Sequence, residues 1–325
     1  MTTPAAALLM LLFATPAAPG ENNLTPITYA AGYIPNVQFA PFYLAQHRGY
    51  YREAGLEVTM DYTIGPEILK MAALRKVTFA SADPDAFLHA VQRRMPLVHV
   101  ATLYQRYPLA LIAKEDIFTS EKLRGKRIGI TGTYGSSYLG LKAMLAEMGL
   151  RLDQVRVVSI GYTQVAALAQ DRVDAVVGYA NNEPLSLKAL GIHTFTRELQ
   201  KRRFPGVGIM THPEQVKDGK KHVDAFLNAT FRALQDLVKD PKAGYEIVVE
   251  HYLPELKAED RYAAAYAVLE ASLPYWQSTY QQKEGWGQCD PKLWENLAEM
   301  LAADQKNGNY RKWATHVDRS FTYGK

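Results

Sequence analysis

Gly32-Tyr33-Ile34-Pro35-Asn36-Val37-Gln38-Phe39-Ala40-Pro41-Phe42-Tyr43 is the stretch that decides the fold of this chain. An apolar, strand-like run, Ile27-Thr28-Tyr29-Ala30-Ala31, precedes it, and a helical pattern ending at Gly55 follows. A strand, a turn with Pro and Asn, and a helix start form the arrangement in which an open α/β sheet presents a ligand site. The turn lies at the carboxyl end of the strand, and the new helix aims its free N–H groups there. The turn offers Tyr33, Asn36, Gln38 and Phe39, flat apolar faces beside neutral amides. Those groups suit an uncharged aromatic heterocycle better than a phosphate. The plainer alternative is an ordinary strand-to-helix turn with two aromatics in the core.

Outward from this stretch, strands alternate with helices, which argues for parallel sheets. Residues 39–52 read as one amphipathic helix with Phe42, Tyr43, Ala45 and Tyr50 inward. A strand follows over 56–62, Gly65-Pro66 opens a helix with Pro in its first turn, and 77–81 is a short strand. Ser81-Ala82-Asp83-Pro84-Asp85 caps a helix running to Arg94, and 96–103 reads as a buried strand. Tyr104-Gln105-Arg106-Tyr107-Pro108 then joins two strands directly, a candidate crossover between domains. The pattern restarts with strands at 123–130, 155–160 and 173–179, helices at 138–148 and 163–170, a helix from the 180–184 loop to Leu190, and a return strand over 204–210. Helices at 216–239, 241–251, 258–273 and 291–305 complete the chain. The expectation is two α/β lobes joined by two crossovers, with a helical C-terminal region packed back on the first. Lobe I comprises 27–107 plus 205–325, and lobe II 108–204.

The 325 residues, 48% hydrophobic, suffice for two cores. The net charge of +4 is spread over short clusters such as Lys201-Arg202-Arg203 and 217–221, a solvated surface rather than a nucleic-acid track. The single cysteine, Cys289, permits no intramolecular disulfide and no cysteine-based metal site. The 8 histidines stand singly, without ligand spacing, as surface or helix residues. At the N-terminus an apolar run over 5–14, too short to span a bilayer comfortably, is followed by small residues and prolines over 15–20. Residues 1–26 therefore read as a secretory signal peptide, cleaved within 17–20 although it lacks an early Lys or Arg, or as a disordered N-terminus. No later stretch reads as a membrane span, so the mature chain is expected to be soluble and exported, at the periplasm or cell surface.

G-x-S-x-G, the P-loop and H-E-x-x-H are all missing, so no catalytic residue, metal or cofactor is expected. Thr131-Gly132-Thr133-Tyr134-Gly135-Ser136-Ser137 is either an anion-receiving loop or a helix-capping one, with Tyr134, Ser136 and Ser137 as candidates. Glu183 follows a strand ending in Tyr179 and shares its loop with Asn181 and Asn182. Its carboxylate could accept short, directional bonds from heterocycle N–H groups, or start the next helix, where a negative charge suits the dipole; the two are compatible. Tyr104 and Tyr107 are placed either to stack on a ligand or to pack the hinge. Asp83 is a helix cap or a polar contact, and Trp276 reads as helix packing.

The run GYIPNVQFAPFYLAQHRGYYREAGLEV, with VATLYQRYPLALIAKED, LRGKRIGITGTYGSSYLGLKAML, DAVVGYANNEP, LPYW and CDPKLWENLAEML, resembles solute-binding proteins of the NMT1/THI5-like (SsuA/THI5) family. The resemblance covers nearly the whole chain after Pro26. It implies a periplasmic-binding-protein-like fold that hands a small molecule to the permease of an ABC transporter. IPNVQFAPFY with LYQRYP and YANNEP looks most like the riboflavin-binding branch. Pyrimidine binders of the family, which take thiamine precursors such as formylaminopyrimidine or hydroxymethylpyrimidine, usually carry T-N-H where Val37-Gln38-Phe39 stand here. Pyrimidine synthases of the same fold need a histidine at Phe39 and a cysteine-rich motif, and sulfonate binders imply a basic cleft. Many bacterial relatives carry a lipid-anchoring cysteine near the cleavage site, and this chain has none there. On this resemblance Tyr33, Tyr104, Tyr107 and Tyr134 would stack on the ligand's ring. Asn36, Gln38, Asn181, Asn182 and Glu183 would read its polar edge, and Ser136 and Ser137 would reach a ribityl chain.

Overall fold

The structure is a computed structural model and describes residues 24–64, 67–304 and 308–324. Two α/β lobes each hold a five-stranded sheet. The first is built from β1 (Thr25–Gly32), α1 (Ala40–His47), α2 (Tyr50–Glu53), β2 (Leu56–Ile64), α3 (Glu67–Ala73), β3 (Phe79–Ala82), α4 (Pro84–Gln92) and β4 (Val98–Thr102). The chain then crosses to the second lobe. That lobe comprises β5 (Leu109–Ala113), α5 (Ser120–Leu123), β6 (Arg127–Ile130), α6 (Gly135–Glu147), β7 (Arg156–Ser159), α7 (Gln164–Ala169), β8 (Ala175–Tyr179), α8 (Glu183–Ala189) and β9 (Phe195–Glu198). It returns in β10 (Gly208–Thr211) and ends in α9 (Pro213–Asp218), α10 (Lys220–Lys239), α11 (Pro241–His251), α12 (Glu259–Trp276), α13 (Thr279–Glu284) and α14 (Pro291–Asp304).

The strand orders are β2-β1-β3-β10-β4 and β7-β6-β8-β5-β9. Both sheets are mixed, which corrects the parallel sheets expected from the alternation. β10 runs antiparallel to β3 and β4, and β5 antiparallel to β8 and β9. The reason is topological: β5 and β10 are the strands by which the chain enters each lobe from the other. They start at the seam between the lobes and run away from it. The parallel strands β1 and β3, and β6, β7 and β8, therefore end at that seam. The turns after these strands face the same place from opposite lobes, as strand ends do in open α/β sheets.

Other departures are local. The helix expected over 39–52 is two helices, because Gly49 takes a φ of 74°, open to glycine at little cost. The 216–239 helix likewise divides at Gly219 into α9 and α10, and α12 runs to Trp276 with Pro274 inside it. α6 starts at Gly135 rather than Tyr138, and the return strand is shorter than 204–210. β9 was not foreseen, and β1 begins inside the segment read as an N-terminal leader. The rest of that leader, the Gly65-Pro66 helix start and the end of the 291–305 helix lie outside the described residues. His99 is not a surface or helix residue: it is buried in β4, and burial pulls its imidazole down to about 3.

α10 packs on α1 and α11, and Phe226 is the hub of the first lobe's core. Its ring stacks on Phe79 at 4.3 Å and on Tyr51 at 5.5 Å. Burying such a ring contributes roughly 1.5–3 kcal/mol. The lobes touch on two sides, α4 against α6 and α12 against α8. One apolar cluster runs through Phe87, Leu139 and Trp294 from one lobe to the other. Among the described residues, no helix is long and apolar enough to cross a membrane.

Candidate functional site

The turns at the strand ends bring most of the expected residues to the seam between the lobes. At its base, Tyr104 sets its ring edge-on to Trp276 at 5.8 Å, and its hydroxyl lies near the polar groups of Ser272, Trp276 and Asn181. Burial pushes this phenol well above its ordinary range, against the downward pull of those groups, so it stays a neutral donor. Asn181 Nδ2 donates to Ser272 Oγ at 2.8 Å, leaving Asn181 Oδ1 buried without a partner among the described residues. Gln38 Nε2 is likewise buried and unpaired. Each such group costs about 1–3 kcal/mol of desolvation. The donor comes from the first lobe and the acceptor from the second, on elements that both pack against α12.

Three acids stand above this base. Asp83 stands beside Tyr107, whose hydroxyl lies 2.6 Å from the hydroxyl of Tyr179 across the crossover. Burial, and then the neighbouring Asp85 carboxylate, raise the Asp83 carboxyl, while the nearby Tyr107 hydroxyl pulls it back. Asp85 is buried at the start of α4 and accepts a short bond from Ser136 at the start of α6, which latches lobe to lobe. Burial also raises Asp85, against the pull of that hydroxyl. Glu183 folds back over β8, where its Oε2 accepts from the Tyr179 N–H at 2.6 Å. It can lie there because Gly178 beneath it has no side chain: a Cβ would stand 2.9 Å from Glu183 Cδ. Burial raises Glu183, and the Tyr179 N–H lowers it. Glu183 opens α8 and at the same time bonds the backbone of Tyr179, so its place at the helix start is compatible with a place at the seam.

At the mouth, half-buried Tyr33 meets Tyr162 of the second lobe, ring centres 6.4 Å apart and planes at 55°. Burial and then Glu183 raise the Tyr33 phenol, which puts that acid within electrostatic reach. Tyr134 folds over Gly132 and stays 76% exposed on the rim.

Other candidates are engaged elsewhere. Asn36 Oδ1 accepts from the Gln38 N–H at 3.0 Å and caps the short turn at Val37–Phe39. Phe39 sets its edge to Tyr62, 6.4 Å away. Ser137 Oγ is 2.5 Å from Thr131 Oγ1, within its own loop. The Asn182 side chain makes no cap, and its carbonyl accepts from the N–H groups of Leu185 and Ser186 in α8. Trp276 is buried helix packing, as expected. Two seam residues were missed, Asp85 and Tyr162. Tyr162 follows β7 in Gly161-Tyr162-Thr163, so the rule that singled out Tyr33 could have found it. Asp85 carried no signal beyond a helix first turn, because its partner lies 51 residues away.

A concavity of about 150 Å³ is lined by Gln105 and Arg106 of the first crossover, with Arg203 and Tyr280 among others, and none of these candidates lines it. Among the described residues no cluster of His, Cys, Asp and Glu could hold a metal ion. Cys289 is buried, and burial pushes its thiol up to about 12. What the seam assembles is a set of tyrosine rings, amides and carboxyl groups.

Comparison with known proteins identifies the family. The family model described as NMT1/THI5 like matches residues 36–244. Over 308 residues the chain is 35% identical to the riboflavin-binding protein RibY of Chloroflexus aurantiacus, covering 93% of this chain and 86% of that one. It is 25% identical to a formylaminopyrimidine-binding protein of Halalkalibacterium halodurans, over 91% of this chain and 92% of the relative. In fold it matches the alkanesulfonate-binding protein SsuA from Xanthomonas axonopodis pv. citri, solved bound to MOPS. The TM-score is 0.66 at 17% identity, over 91% of this chain and 98% of that one.

Proposed function

Because the chain belongs to the NMT1/THI5-like family and is a solute-binding protein, we propose that it captures riboflavin between its lobes and delivers it to the permease of an ABC importer outside the cytoplasm. The observation that carries this reading is the meeting of both lobes' strand-end turns on one seam, where tyrosine rings alternate with amide and carboxyl edges. Tyr33, Tyr104, Tyr107 and Tyr134 face the isoalloxazine ring. Gln38 and Asn181, with their unpaired donor and acceptor, and Glu183 read its uracil-like edge. The hinge lies at the two crossovers, with lobe I as 27–107 plus 205–325 and lobe II as 108–204. Ligand contacts both lobes only in the closed form, and that differential contact drives closure. The role is binding rather than catalysis, in keeping with the relative named for riboflavin binding.

The acids Asp83, Asp85 and Glu183 count against a sulfonate, whose charge calls for basic partners. They leave one second reading open, because an acid also suits the amino group of a thiamine pyrimidine precursor, the ligand class named for the relative at 25% identity. Titration of the purified protein with riboflavin and with formylaminopyrimidine decides between them. Quenching of flavin emission at micromolar protein is expected. Unquenched emission alongside a tryptophan response to the pyrimidine would transfer the assignment to the second reading.

A further inference from the structure

We propose that Tyr162 is the second jaw of an aromatic clamp, which closes with Tyr33 on the flat fused ring of the ligand at the cleft mouth. The inference rests on the riboflavin reading above and extends it to a residue on the opposite lobe. Tyr33 comes from the turn after β1 and Tyr162 from the turn after β7. The two turns meet at the seam between the lobes, where the two ring centres stand 6.4 Å apart with planes inclined at 55°.

That separation is close to what a sandwiched ring requires. Two successive carbon–carbon contacts need about 3.5–4.0 Å each, so a flat guest between two rings asks for roughly 7–8 Å between them. The observed pair is about an ångström short of this and inclined. A small opening with rotation about the side-chain torsions makes a slot one aromatic ring thick. Tyr162 is 69% exposed, so no core packing holds its ring away from such a rotation. It follows Gly161, whose φ of 59° turns the chain at the end of β7. Its neighbourhood is that of the site: Asp83, Tyr134 and Tyr33 all lie within electrostatic reach of its phenol. Tyr134 and Ile34, 76% and 50% exposed, widen the apolar rim beyond what one small ring would cover. A clamp with one jaw on each lobe also ties affinity to closure, because neither ring alone encloses the guest.

The experiment compares wild type with Tyr162→Ala, Tyr162→Phe and Tyr162→Trp. Riboflavin, lumiflavin (the ring without the ribityl chain) and formylaminopyrimidine are the probes. Tyr162→Ala is expected to bind riboflavin and lumiflavin about tenfold more weakly, equivalent to about 1.4 kcal/mol. Residual flavin emission at saturation should rise, because one quenching ring is gone. Tyr162→Phe should stay within about twofold of wild type, and Tyr162→Trp should match or exceed it, since stacking tolerates any π-face. The ligand-free melting temperature should not move. Wild type indifferent to riboflavin overturns the ligand assignment, and the clamp is then judged on the pyrimidine. Equal affinity and equal quenching in Tyr162→Ala, with whichever probe the wild type binds, overturns the clamp itself. A wild type that binds no probe overturns both.

Discussion

Replacing Gly178 by alanine tests how the seam acid is held. Gly178 has no positive φ, so an alanine there strains no backbone. Its Cβ, however, would stand 2.9 Å from Cδ, 3.0 Å from Oε2 and 3.1 Å from Cγ of Glu183. Ordinary contact begins near 3.4 Å, so the carboxyl must retreat by about half an ångström, away from the Tyr179 N–H that it meets at 2.6 Å. A hydrogen bond to a charged group contributes about 1.5–3 kcal/mol, and losing it is the main cost. Gly→Ala returns about 0.4–1 kcal/mol by restricting the unfolded chain. The variant should therefore be about 1–2 kcal/mol less stable, a fall of about 2–4 °C in Tm for a chain of this size. Riboflavin affinity should drop about tenfold or more, because the acid no longer faces the ligand as placed. Thermal unfolding and fluorescence titration read the two effects, and a double-mutant cycle isolates the contact. In a Glu183→Ala background the methyl has room, and Gly178→Ala should then cost nothing. An equal stability loss in both backgrounds would refute the reasoning, because the clash would lie with something other than Glu183.

Three further outcomes follow from the same structure. Asp83 binds its proton more tightly folded than unfolded, through burial and the Asp85 charge, so stability should fall as pH rises above the ordinary carboxylate value of about 4 and reach its full penalty above the raised value. Denaturant titrations of Asp83→Asn should show its advantage over wild type growing from acid to alkaline pH, and an advantage independent of pH would contradict the assignment. His99 runs the other way: neutral when folded down to about 3, it should cost stability as pH falls below about 6.5, by up to about 1.4 kcal/mol per pH unit. His99→Gln should flatten that slope in the same titrations. Gly140 lets α6 lie against β5, and a Cβ there would run into Leu109. Gly140→Ala should cost about 1–3 kcal/mol by overpacking, visible in Tm, while leaving the ligand-binding groups in place.

Much of this molecule is local, and what is local could be read along the chain. The apolar run before Gly32, the prolines and glycines that punctuate it, and the helical periods after Gln215 yield the α/β class, the two lobes and the helical C-terminal region without coordinates. The same local rule, that a ligand site forms where a strand ends and a helix begins, drew attention to the turn of Tyr33 and to the loop of Glu183. Tertiary structure decided what depends on residues far apart in sequence. It set the direction of β5 and β10, because a strand's sense in a mixed sheet follows from where the chain enters, which side-chain periodicity does not encode. It determined which polar groups are already engaged: Asn36 and Ser137 within their own turns, Ser136 on Asp85 across 51 positions, and Gln38 and Asn181 left with one unpaired atom each. It also brought Tyr162 opposite Tyr33. Pattern reports which face of an element is apolar, but only the packing of one lobe on the other determines which turns share a cleft.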